Sequence, residues 1–111
     1  IPAWVGLSVT PFLFERLTMA YGLEKTRDLC QTLLTPPPIA VRVNRMKTNR
    51  ADLMAKWEGR FAITPSEKLP DAIVFSKREA LFSLPEFKEG LFEMQDEGSQ
   101  LVASLVRAES G

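Results

Sequence analysis

Four cations stand within nine residues: Arg42, Arg45, Lys47 and Arg50, with no Asp or Glu between Asp28 and Asp52. Arginine forks match phosphate oxygens, and an amide such as Asn44 suits a base edge or a backbone group. The chemistry this pattern supports is phosphate contact on a nucleic acid. The competing reading is a solvated face with no ligand. Nothing comparable points to catalysis. The chain has no histidine and a single cysteine, Cys30, which removes the commonest general base and makes a structural zinc site untenable. Cys30 falls on the apolar side of an expected helix with nothing to activate it, so it reads as a buried structural thiol. Glu93, Asp96 and Glu97 lack a second acidic cluster or a histidine partner and read as capping or solvated groups. The glycines make no phosphate-cradling loop.

The 111 residues are one small domain's worth, 45% hydrophobic and 25% charged, which excludes collagen-like, coiled-coil and wholly disordered chains. Net charge is zero, so no global pull toward nucleic acid or an anionic membrane exists. The distribution is uneven: residues 1–55 carry 7 basic and 4 acidic side chains, residues 56–111 carry 7 and 10. One free thiol fits a reducing compartment, hence the cytoplasm. No segment is long and apolar enough for a membrane span, and the opening residues lack a signal peptide's basic start. The chain reads as an excised piece of a longer protein.

These side chains need a scaffold. Residues 3–21 read as helix in two parts, the second capped by Thr10 with Pro11 at its first position and presenting Phe12, Leu13, Leu17 and Ala20. Gly22 ends it, and a second helix spans 23–34 with Leu23, Thr26, Leu29, Cys30, Leu33 and Leu34 on one side. Pro36–Pro38 is a stiff connector. Residues 39–46 alternate, with Ile39, Val41 and Val43 facing one way and Arg42 and Asn44 the other, which predicts a half-buried strand. Asn49 caps a short helix carrying Leu53, Met54 and Trp57, and Gly59 ends it. Strands follow at 61–64, 72–75 and 91–95, with a polar loop at 65–70 and an irregular or single-turn segment at 79–90. Asp96 caps a last helix to about Arg107. The order argues for an α+β fold with a small, mostly antiparallel sheet and packed helices.

Three stretches together resemble the Sun/Fmu (NOL/NOP/Sun) family of S-adenosylmethionine-dependent RNA cytosine-C5 methyltransferases. They are Val41-Arg42-Val43-Asn44 with Lys47-Thr48; Gly90 to Leu101, with Gln95-Asp96 and Ser99-Gln100 the most specific part; and Pro2, Trp4, Tyr21-Gly22 and Pro36–Pro38 in order. The resemblance implies a family N-terminal region: a helical segment (1–35), an RNA-recognition-motif-like domain (36–90), and a strand and helix (91–111) leading into a methyltransferase domain. It implies that catalysis belongs to that other domain, which binds S-adenosylmethionine and uses cysteine thiolate addition to cytosine. Cys30 matches neither cysteine context of the family.

The expectation is therefore an RNA-positioning fragment of a ribosomal-RNA (or transfer-RNA) 5-methylcytosine methyltransferase, not catalytic alone. Arg42, Asn44, Arg45, Lys47 and Arg50 would contact RNA. Phe92, Gln95, Asp96, Ser99 and Gln100 would form the joint to the catalytic domain. The last helix would carry Leu101, Val102, Leu105 and Val106 on a stripe that the neighbouring domain, or a second copy of the chain, covers. The alternative is an interdomain or protein-interaction module without RNA contacts of its own, which zero net charge favours.

Overall fold

The structure, a computed structural model, describes residues 1–109 and divides into two units, Ile1–Pro37 and Pro38–Gly111. In the first, α1 (Ala3–Gly6) precedes α2 (Pro11–Tyr21) and α3 (Leu23–Leu34). Thr10 Oγ1 accepts from the Leu13 N–H at 3.2 Å, the cap that lets α2 start at Pro11. Gly22, at φ 84, joins α2 to α3 in a backbone conformation that side chains resist. Thr26 and Cys30 are fully buried on α3. The wide apolar faces expected of α2 and α3 are not: Phe12, Leu13, Leu23, Leu29, Leu33 and Leu34 are exposed, and α2 buries no residue completely. Two helices by themselves have too little interior to cover so much apolar surface.

The second unit is built on β1 (Ile39–Val43), α4 (Arg50–Trp57), β2 (Ile63–Pro65), β3 (Ala72–Phe75), a 3-10 turn (Leu81–Ser83), α5 (Pro85–Lys88), β4 (Phe92–Met94) and α6 (Glu97–Leu105). Its four strands lie in the order β2-β3-β1-β4, every neighbouring pair antiparallel. This is the split βαβ arrangement, with the second crossover reduced to a 3-10 turn and one turn of helix. The α+β reading holds. The strand read as 91–95 is an edge of this same sheet.

The period-two pattern of β1 decides the layering. In register with β3 and β4, Ile39, Val41, Val43, Ile73, Phe75 and Phe92 share one face; Ala40, Arg42, Ala72, Val74 and Glu93 share the other. Val41 and Val43 are buried while Arg42 is exposed. The core forms where α4 lays Leu53 and Trp57 on the first face. The Trp57 ring meets Phe61, Phe75 and Phe92 edge-on, at 5.8, 5.3 and 5.1 Å between centroids.

Three local readings change. β1 stops at Val43 rather than 46, because Asn44 Oδ1 takes the Met46 N–H and its backbone carbonyl takes those of Lys47 and Thr48. β2 is Ile63–Pro65, not 61–64: Phe61 still belongs to the turn after α4, its N–H bonded to Trp57 O, and its ring goes into the aromatic cluster. Pro65 is tolerated because β2 is an edge. The 65–70 loop is less polar than expected, with Leu69 buried.

Arg60 Nη1 lies 2.9 Å from Glu86 Oε1 and ties α5 to the turn after α4. Burial pushes the Glu86 carboxyl up, but its backbone hydrogen bond, Arg60 and the Trp57 side chain together hold it below the ordinary value of 4.5. Trp57 Nε1 and Glu86 Oε2 are both buried without a hydrogen-bond partner, so the indole acts on the carboxyl only at longer range. A lowered folded-state pKa stabilises above the unfolded value and is lost as pH falls through the folded one. Urea midpoints should therefore decline below about pH 4.5, and Glu86→Gln should flatten part of that decline. An unchanged acid limb in the variant would remove Glu86 from the account.

Candidate nucleic-acid interface

The four cations and Asn44 separate by role. Arg50, at the start of α4, points its Nη1 at three backbone carbonyls: Ser66 O at 3.0 Å, Leu69 O at 2.8 Å and Ala72 O at 3.4 Å. It staples the β2–β3 loop. Asn44 is engaged at both ends, donating from Nδ2 to Gly90 O at 2.9 Å and accepting from Met46 N–H at 3.1 Å. One Nδ2 hydrogen and one Oδ1 lone pair remain beyond these two bonds. Lys47 donates to Glu89 O at 2.7 Å, pinning the turn before β4, although it stays exposed. Asn44, Lys47 and Arg50 thus each hold a neighbouring loop through hydrogen bonds of their own.

Arg42 and Arg45 differ. Arg42 gives one nitrogen to Gln95 Oε1 at 3.0 Å and is otherwise open on the outer sheet face. Arg45 is 74% exposed and meets Asp71 only at 3.8 Å, through Nε, a pairing weak at such exposure. Asp71 and Glu93 flank these arginines, so the positive run along the sequence becomes a mixed patch in space. The two guanidiniums border two adjoining hollows of about 340 and 300 Å³.

The outer face lacks one thing an RNA-recognition-motif-like sheet would be expected to use. Ala40, Arg42, Ala72, Val74 and Glu93 include no aromatic ring on which a base could stack. Its central alanines are buried as well. α6 runs beside this face, with Glu97 Oε1 accepting from Ser66 Oγ at 2.5 Å and Gln100, Ala103 and Ser104 lining the smaller hollow.

The residues expected at the joint are equally definite in their contacts. Phe92 is fully buried in this unit's own core, packed on Trp57 and Phe87, so it offers a neighbouring domain no surface. The other four build the turn from β4 into α6. Asp96 Oδ2 accepts from the Ser99 N–H at 3.1 Å and from Ser99 Oγ at 3.2 Å; Gln100 Nε2 donates to Gln95 O at 2.8 Å. Each motif residue thus has a partner inside the motif, which fixes the direction in which α6 leaves the sheet. The helix then exposes Leu101 (48%), Val102 (66%), Leu105 (73%) and Val106 (72%).

Among the described residues no group of three or more His, Cys, Asp or Glu side chains could hold a metal ion. No described helix is long and apolar enough to cross a membrane.

Comparison with known proteins bears on the whole arrangement. A family profile described as "Methyltr_RsmF/B-like, ferredoxin-like domain" matches residues 10–81. The chain belongs to this family. The match agrees with the split βαβ sheet and with the Sun/Fmu resemblance. Two curated relatives carry related names. One is "Probable ribosomal RNA small subunit methyltransferase B" of Bacillus subtilis, 31% identical over 99 residues, covering 89% of this chain and 22% of the relative. The other is "Ribosomal RNA small subunit methyltransferase B" of Pseudomonas putida, 29% identical over 102 residues, covering 91% and 23%. A solved chain described as "Crystal Structure of PH0851" superposes with a TM-score of 0.72 at 27% identity, over 86% of this chain and 21% of that one. The chain therefore spans under a quarter of the length of these relatives. The ferredoxin-like family accounts for the sheet order.

Proposed function

We propose that this chain is the RNA-positioning part of a ribosomal-RNA cytosine-5 methyltransferase, with the catalytic domain and its S-adenosylmethionine site lying in sequence outside it. The relatives' names support the ribosomal-RNA class, and a single buried thiol supports a reducing, cytoplasmic setting. The observation that carries RNA contact is the pair of open guanidiniums, Arg42 and Arg45, side by side at one end of the sheet. Phosphate contacts of this kind position a nucleic acid without reading its sequence. The hydrogen-bonded turn at Gln95, Asp96, Ser99 and Gln100, with the apolar stripe of α6 beyond it, supports a rigid joint to the catalytic domain. Rigidity suits the task, since small misplacement of a substrate is costly in rate. On its own, the chain leaves that stripe free to pair with a second copy.

The test is an RNA titration of this chain at several salt concentrations. With two phosphate contacts on single-stranded RNA, the log–log salt slope should be roughly −1.4. The Arg42→Ala/Arg45→Ala double variant should bind weakly with a slope near zero. Equal affinity in parent and double variant at low salt would favour the interaction-module reading, with the α6 stripe as its surface.

A further inference from the structure

We infer that the Arg42–Arg45 end takes one unstacked nucleotide of single-stranded RNA, selected for a base that carries an exocyclic amino group. This rests on the RNA-contact reading above and narrows its substrate.

Three observations converge. First, the outer sheet face has no aromatic side chain and buries its central alanines, so a strand of stacked bases has no platform there. Second, the space that does exist is local. The hollow between α6 and the end of the sheet, about 300 Å³, is lined by Leu69, Pro70 and Ala103, with Arg42, Arg45 and Asp71 among its polar residues. That is the low end of small-ligand sites, room for one nucleotide rather than a duplex groove. An apolar wall suits a base, and a guanidinium plane can stack on it or hold its phosphate.

Third, the neighbouring hollow of about 340 Å³ brings Asp71 and Glu93 against the same arginines. Glu93 stands opposite Arg42 in the strand register yet makes no ion pair with it, and Asp71 reaches Arg45 only at 3.8 Å. Two carboxylates beside a phosphate site repel a dense run of phosphates, which counts against duplex RNA. They accept hydrogen bonds from amino groups, as acidic side chains do from cytosine N4. Uracil carries a carbonyl oxygen where cytosine carries its amino group and keeps only N3–H as a donor, so it is disfavoured.

Fluorescence anisotropy with the 111-residue chain tests this, using labelled cytidine-rich and uridine-rich single strands of equal length and a duplex of the same length. The expected result is at least about fivefold tighter binding of the cytidine-rich strand than of the uridine-rich one, on the order of one good base contact. The duplex should bind more weakly than either. Asp71→Asn/Glu93→Gln should abolish the preference without weakening uridine-rich binding, and Arg45→Ala should weaken both strands alike. Equal binding of the two strands, an unaltered preference in the carboxylate variant, or a duplex bound as tightly as single strands would overturn the inference while leaving phosphate contact intact. If no RNA binds and Arg45→Ala changes nothing, the RNA-contact reading fails and this inference with it.

Discussion

Trp57→Ala should abolish the cooperative melting of the sheet unit, or bring its midpoint close to ambient temperature. The side chain is fully buried, and three phenylalanine rings pack edge-on around it. Truncating a buried tryptophan costs roughly 3–5 kcal/mol, because the rings around it cannot collapse into the space. A unit of this size has only about 5–10 kcal/mol in total. Trp57→Phe should be much milder. It keeps an aromatic ring in the cluster, and the indole N–H has no hydrogen-bond partner to lose. Circular-dichroism melts of the two variants check both statements. A Trp57→Ala protein that melts near the parent would mean that the core does not hinge on this cluster.

Arg50→Ala and Arg45→Ala should have opposite consequences, although the two residues sit five apart in the same basic run. Removing Arg50 strips a part-buried donor from the Ser66, Leu69 and Ala72 carbonyls. A lost charged hydrogen-bonding group at such a place costs about 1–3 kcal/mol. RNA affinity should follow only through the population of folded protein. Removing Arg45, exposed and loosely paired, should change stability by less than about 0.5 kcal/mol and reduce RNA affinity directly. Urea denaturation and RNA titration on the same samples separate the two. If Arg50→Ala is as stable as the parent and loses RNA binding, the roles assigned to these arginines are reversed.

Much of the scaffold is legible in the sequence because its signals are local. Thr10, Asn49 and Asp96 each cap the helix that follows them, as their types and spacing predict, since a cap needs only the next three residues. Alternation fixes which face of β1 is dry, because a slip of one residue would bury Arg42 and expose Val41 and Val43. Where the reading fails, the deciding partner is distant. Phe61 leaves its expected strand to join Phe75 and Trp57. Arg50 looks like its neighbours until the loop 16 to 22 residues later curls its carbonyls onto it. Asp71 and Glu93, which turn the basic run into a mixed patch, come from β3's approach and from β4, so no window around residue 45 contains them. The Gln95–Gln100 motif is visible as a family resemblance, but its physical role, a self-contained turn that aims α6, emerges only when its hydrogen bonds are seen.

The central claim is that Arg42 and Arg45 face RNA while Arg50 holds the fold. Arginine side-chain Nε–H signals of the isotopically labelled chain, followed by NMR as a short single-stranded RNA is added at low salt, address it residue by residue. The account predicts that the Arg42 and Arg45 signals shift with RNA concentration and return when salt is raised, while the Arg50 signal stays in place throughout. A shift confined to Arg50, or no movement at Arg42 and Arg45 under conditions where RNA is bound, would contradict it.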